Sequence, residues 1–144
     1  MDGYDPLTRL LRERFGHATF RPGQREVIEA VLRGRDAVAV LPTGGGKSVT
    51  YQLPALASGR CTLVVSPLIA LMRDQVDHAR AQGIRASVID STATRDERAA
   101  TFSAARRGEM DVLYAAPEGL ERLASELEGT DAVGLFAVDE AHCV

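Results

Sequence analysis

Leu41-Pro42-Thr43-Gly44-Gly45-Gly46-Lys47-Ser48 is the stretch that decides the fold. A short apolar run, Ala37 to Leu41, leads into it, and a helical segment from about Lys47 to Ala57 leads out. A strand that delivers a glycine-rich turn to a helix N-terminus gathers backbone N–H donors and aims them at anionic oxygens. In Thr43 to Gly46 the glycines permit close approach and dihedrals that a Cβ forbids. Lys47 can set its ammonium against β and γ phosphates, and the Ser48 hydroxyl can ligate Mg²⁺. Leu41 stands where the strict GxxxxGK[ST] pattern has its first glycine, which affects the pattern match more than the chemistry. The bland reading, a flexible turn with a surface lysine, leaves the order of strand, loop and helix unexplained. The chain has 17 basic residues, and Lys47 is its only lysine.

Working outward, the pattern alternates. Upstream, Leu7, Leu10, Leu11 and Phe15 recur at helical spacing before Gly16, and Gln24 to Arg33 carries Val27, Ile28, Val31 and Leu32 on one face. Pro22 is expected in the first turn of that second helix, and Gly34 is placed to stop it. Downstream, Thr62 to Val65 reads as a strand, Pro67 separates it from a helix running to Gln82, and Ser87 to Ile89 reads as a third strand. Thr94 with Glu97 forms a capping-box signature for a helix that Gly108 ends. Asp111 to Ala115 is another strand, Glu118 to Leu127 another helix, and Val133 to Val138 a final apolar strand. Near-continuous apolar strands alternating with helices predict an α/β fold, a parallel sheet with helices on both faces.

That last strand ends in Asp139-Glu140-Ala141-His142. The carboxyl edge of a parallel sheet is where ligands bind. Asp139 can hold the water shell of a magnesium ion, and Glu140 can orient or activate an attacking water. Together with Lys47 and Ser48 they make a minimum set for phosphoryl transfer, in which most of the work is positioning and electrostatic stabilisation.

Composition excludes several classes. Apolar residues make up 45% and charged residues 26% of the 144 residues, as in a globular chain. The apolar runs are too short for a membrane helix and no secretory signal opens the chain, so cytoplasm or nucleoid is the expected location. Cys61 and Cys143 form no CxxC pair and read as two reduced thiols. The net charge of -3 argues against a domain-wide basic surface, while leaving room for local contacts through backbone amides and a few arginines.

Five blocks in order resemble the RecQ family of superfamily 2 ATP-dependent DNA helicases: FRPGQ (Phe20 to Gln24), LPTGGGKS (Leu41 to Ser48), VVSPLIALMRDQV (Val64 to Val76), LYAAPEGL (Leu113 to Leu120) and DEAHCV (Asp139 to Val144). The resemblance implies a P-loop NTPase with a RecA-like sheet. Residues 1–34 would be a helical preface carrying the adenine-recognition motif, and 35–144 an ATP-binding lobe incomplete at the carboxyl end. It implies ATP and Mg²⁺ as cofactors, and single-stranded and partly duplex DNA as partner. In the family, hydrolysis drives 3′ to 5′ translocation and unwinding, and a second helicase lobe closes the site.

On this sequence the resemblance places Arg21 and Gln24 over the adenine, His17 at the position of a base-stacking ring, and Ser66, Arg73 and Gln75 in a strand-binding and coupling element. His142 would link hydrolysis to the nucleic acid. Read from the residues alone, Arg21 is also a helix-start surface charge, His17 and His142 are also loop residues, and Arg73 is also a solvated face. Gly119 departs from the family pattern, which has an arginine there. The family also seats a later strand between the Lys47-loop strand and the Asp139 strand. Without it, apolar surface is expected to be exposed and the two halves of the site poorly spaced. The isolated chain is expected not to unwind duplexes. An RNA-directed superfamily 2 ATPase and a non-catalytic nucleotide- or nucleic-acid-binding remnant are the alternative readings.

Overall fold

The computed structural model describes residues 5–42 and 46–141. Helix α1 (Pro6–Phe15) starts where the Asp5 carboxylate accepts from the N–H groups of Leu7 and Thr8, and it stops at Gly16. Helix α2 spans Gln24–Leu32. Pro22 lies in the turn before it rather than in its first turn, because Gly23 takes φ 87° and breaks the helical dihedrals between them. Then follow α3 (Lys47–Ser58), β1 (Cys61–Val65), α4 (Ile69–Ala81), β2 (Ala86–Ile89), α5 (Arg95–Arg106), β3 (Val112–Ala115), α6 (Leu120–Leu127) and β4 (Val133–Val138). A single 3₁₀ turn, Pro117–Gly119, precedes α6 and takes the place of the first turn expected from Glu118. Thr94 and Glu97 form the expected reciprocal cap on α5.

The strands form one sheet in the order β2-β3-β1-β4, and every pairing is parallel. Alternation along the strands divides the side chains between two cores. Val64, Val112 and Tyr114 pack with Leu11, Ile28, Leu53 and Met72 under α1 to α4. Cys61, Leu63 and Leu113 pack with Phe102, Leu123 and Leu127 under α5 and α6. Leu53 and Ile28 are fully buried, each removing about 1.5–3 kcal/mol worth of apolar surface from water. This is the RecA-like α/β fold that the sequence predicts, with helices on both faces. No described helix is long and apolar enough to cross a membrane.

One predicted strand does not form. Ala37 to Leu41 has no regular structure, and Val38 and Val40 are 93% and 92% exposed. A strand is held by a hydrogen-bonding neighbour. Among the described residues the sheet ends at β4, and no ladder connects it to this segment. The expected exposure of apolar surface is present here and along β4, where Phe136 and Val138 are about half exposed.

At the opposite end of the strands, the buried Asp111 carboxylate accepts from the backbone N–H and guanidinium of Arg85, with Oδ1 2.8 Å from Nη2. Burial alone would raise the Asp111 pKa, but the hydrogen bonds and charge of Arg85 outweigh it and hold the carboxyl below its ordinary value. A depressed folded-state pKa stabilises above the unfolded carboxylate range and is lost as pH falls through the folded value. The stability gap between wild type and Arg85→Ala, read from urea midpoints, is therefore expected to be wide at neutral pH and to close at acid pH. A gap that does not change with pH would contradict the pairing.

Candidate nucleotide site

The site forms where β1 and β4 end side by side. Val65 pairs with Val138, and the next amide, Asp139 N–H, donates to the Val65 carbonyl at 2.9 Å. The chain leaves the sheet there, so Asp139 and Glu140 project from its carboxyl edge. Helix α3 starts opposite them with Lys47. Lys47 Nζ donates to Glu140 Oε1 at 2.8 Å and lies 3.6 Å from Asp139 Oδ1. The Lys47 pKa is raised, first by the hydrogen bond to Glu140, against the opposing cost of burial. The two halves of the motif, 93 residues apart, are thus in contact despite the irregular Ala37 to Leu41 segment. The expected poor spacing between them is not seen.

Glu140 is the one non-glycine residue at positive φ among the described residues, at 54°. Such a conformation costs on the order of 1–3 kcal/mol and persists where surrounding contacts hold it. Here those contacts are the Lys47 ion pair and the Glu140 N–H, which donates to Asp139 Oδ1 at 3.0 Å.

Two clefts meet at the start of α3. The larger, about 360 Å³, is lined by Lys47, Ser48, Asp139, Glu140 and Arg21, together with Tyr51, Ser66, Leu68, Leu71 and Gln75. The smaller, about 110 Å³, is lined by His17, Arg21, Gln24, Gly46, Ser48 and Gln52. Arg21, Gly46 and Ser48 are common to both. His17, Arg21 and Gln24 therefore sit on one continuous surface with Gly46, Lys47 and Ser48.

Gln24 stands between them and is 3% exposed. Its Oε1 accepts from the Arg21 N–H at 2.8 Å, and its Nε2 donates to the Gly46 carbonyl at 2.9 Å. The side chain thus fastens the turn before α2 to the start of α3. That contact also explains Gly46, since a Cβ there would lie 2.3 Å from Gln24 Nε2, and the backbone has φ 77°. Lys47 follows in the first turn of α3, whose unpaired N–H groups favour anions.

The strand-binding candidates divide. Ser66 is buried, and its Oγ accepts from the Leu68 N–H at 3.3 Å. Arg73 is turned toward β2, with its Nη2 2.5 Å from Asp90 and 2.6 Å from the Thr92 hydroxyl. Gln75 accepts from the Tyr51 hydroxyl at 3.1 Å. Thr43, Gly44, Gly45 and His142 lie outside the described residues. Cys61 is the buried first residue of β1, and burial pushes its thiol up to about 12, so it stays protonated at neutral pH. Sequence reading passed over Asp90, the partner of Arg73, and the hydroxyls of Tyr51 and Tyr114. The available signal was Tyr114 inside the otherwise apolar stretch Val112 to Ala116, and Tyr51 between Thr50 and Gln52.

The family model for DEAD/DEAH box helicases matches residues 21–144. The chain is 43% identical to the ATP-dependent DNA helicase RecQ of Haemophilus influenzae over 136 residues, covering 94% of this chain and 22% of that protein. It is 44% identical to the RecQ of Bacillus subtilis over 138 residues, covering 94% of this chain and 23% of the relative. With the ATP-dependent helicase SGS1 of Saccharomyces cerevisiae it shares 41% identity over 150 residues, covering 97% of this chain and 10% of that protein. The chain thus spans less than a quarter of the length of these relatives. Among solved structures, a hypothetical ATP-dependent RNA helicase from Sulfolobus tokodaii superposes with a TM-score of 0.69 at 24% identity, over 97% of this chain and 42% of that one, which speaks to the fold alone. With Lys47 set against the Asp139-Glu140 turn at the edge of a parallel sheet, the chain belongs to the DEAD/DEAH box helicase family, and over most of its length it is related to the RecQ-type ATP-dependent DNA helicases.

Proposed function

We propose that this chain is the nucleotide-binding lobe of a helicase that spends ATP to move 3′ to 5′ along single-stranded DNA and separate duplexes. The observation that carries the reading is the convergence of Lys47, Asp139 and Glu140 on one cleft. That donor set fits Mg-ATP. One ammonium faces two carboxylates, so the polyphosphate can take Lys47 while the metal takes the Asp139 side, and each charge exchanges one partner for another. Bound Mg²⁺ supplies charge neutralisation at the β and γ phosphates.

The chain's own residues divide the remaining work. Lys47 holds the phosphates, and Thr43, Gly44, Gly45 and Gly46 are assigned to the same phosphates as sources of backbone N–H donors. Ser48 and Asp139 hold the metal and its water shell. Glu140, released from Lys47, orients the attacking water and accepts its proton. Residues 1–34 supply the base side, with His17 and Arg21 as planar groups at the smaller cleft. Gln24 acts on the base side and also fixes the start of α3. Residues 35–144 supply the phosphate side. Ser66 and Gln75 border the larger cleft and face the strand, while Arg73 reaches it only by leaving Asp90. His142 carries the state of the site toward the nucleic acid. The DNA helicases among the relatives favour DNA over RNA as the partner. A second lobe would supply the wall that closes over the γ phosphate.

Two substitutions in the full-length protein separate these roles. Lys47→Ala removes a charge-assisted phosphate contact and is expected to weaken Mg-ATP binding by about 30-fold or more. Glu140→Gln frees Lys47 from its ion pair, so it is expected to bind Mg-ATP at least as tightly as wild type while hydrolysing it about 100-fold more slowly or worse. Affinity by fluorescent-nucleotide titration and turnover by phosphate release decide between these. Unchanged affinity and turnover in Lys47→Ala would defeat the assignment. Equal losses of affinity and rate in Glu140→Gln would point to collapse of the site instead.

A further inference from the structure

A chain of four polar side chains crosses the core between α3 and α4, and none of the roles above uses it as a unit. Gln52 Nε2 donates to the Tyr114 hydroxyl at 3.3 Å. The Tyr114 and Tyr51 hydroxyls are 3.2 Å apart, and the Tyr51 hydroxyl donates to Gln75 Oε1 at 3.1 Å. Each phenol has one proton to give. Tyr51 spends its proton on Gln75, so Tyr114 is the donor between the two hydroxyls, and it accepts in turn from Gln52. The chain therefore runs in one direction, Gln52 to Tyr114 to Tyr51 to Gln75, and each link polarises the next.

Its middle is dry. Tyr114 is fully buried and Tyr51, at the wall of the larger cleft, is 6% exposed, and the two rings pack edge to face with centroids 6.1 Å apart. Burial raises both phenol pKa values, so both protons remain in place at neutral pH. Tyr114 lines neither cleft, so an unmade bond at its hydroxyl is costly. The chain consequently holds together or fails as a unit.

Its ends lie at different places. Gln52 borders the smaller cleft beside Gln24 and Gly46, whereas Gln75 borders the larger one beside Ser66 and Leu71. Tyr51 stands one helical turn after Lys47, so a shift of the first turn of α3 is carried to its hydroxyl. Gln75 stands on α4, in the wall of the larger cleft.

We propose that Tyr51 and Tyr114 are positioning residues that tie Gln75, and with it α4, to the phosphate-loop helix, so that a nucleic-acid strand against α4 changes ATP turnover through this hydrogen-bond chain. The proposal rests on the reading of the larger cleft as the ATP site with α4 on its nucleic-acid side.

Tyr114→Phe tests it, because that residue lines neither cleft and loses only the central hydroxyl. ATP turnover of the full-length protein is measured with and without single-stranded DNA, beside Val112→Ala as a packing change on the same strand and face. Tyr114→Phe is expected to keep its KM for ATP and its DNA-free turnover, while stimulation by DNA falls about five-fold or more, the lower range of site-to-site coupling. Val112→Ala is expected to keep its stimulation. Full stimulation in Tyr114→Phe, an equal fall with and without DNA, or the same loss in Val112→Ala would each overturn the coupling. A wild type whose turnover responds to neither single-stranded DNA nor RNA would overturn the underlying reading of the site as well.

Discussion

The ion pair between Lys47 and the Asp139-Glu140 turn is the contact on which the rest of the site depends. It joins the first turn of α3 to the end of β4. Everything that places those two ends also places the site: the parallel pairing of β1 with β4, the seating of α3 on the sheet, and the bond from Gln24 to Gly46. The pair has a cost on each side. Glu140 is held at a φ that side chains rarely adopt, and Lys47 is partly withdrawn from water. A cation held between two carboxylates is already neutralised, so phosphate and metal have to enter by exchange. That requirement favours a ligand that carries both signs of charge.

The protein places its polar groups unevenly around this contact. The α1 to α4 side contains two buried tyrosines and two buried glutamines, Gln24 and Gln52, whereas the core beneath α5 and α6 is built from Cys61, Leu63, Phe102, Leu113 and Leu123. Both sheet faces are well packed, so packing needs alone do not account for the hydroxyls. Polar groups at that depth restrict which arrangements of α3 and α4 are allowed, because each must keep its partner. A layer with this property suits the side of the sheet that carries the nucleotide cleft.

What was legible in the sequence was what local chemistry decides. Thr94 and Glu97 cap α5 because the residues three apart satisfy each other's backbone groups, and the β1 and β3 runs are apolar because both sheet faces are covered there. Lys47 and the Asp139-Glu140 pair were legible because few other uses explain a lone lysine after three glycines. Ala37 to Leu41 was misread as a strand because strand formation depends on a neighbour, which the segment's own residues do not encode. Arg73 looked like an available cation, but its partner Asp90 stands beyond the end of β2 and is brought to it only by the fold. Gln24 offered two hydrogen-bonding edges in sequence, and both take part in holding the backbone of Arg21 and Gly46.

On the proposed function, Lys47 changes partners when nucleotide arrives, leaving Asp139 to the metal and Glu140 to the attacking water. The most direct measurement is the affinity of the full-length protein for a non-hydrolysable ATP analogue with Mg²⁺ and with EDTA, in wild type and in Asp139→Asn. The account predicts much tighter binding with Mg²⁺ in wild type, and a smaller dependence on Mg²⁺ once Asp139 has lost its charge. Equal affinity with and without the metal in wild type would contradict it.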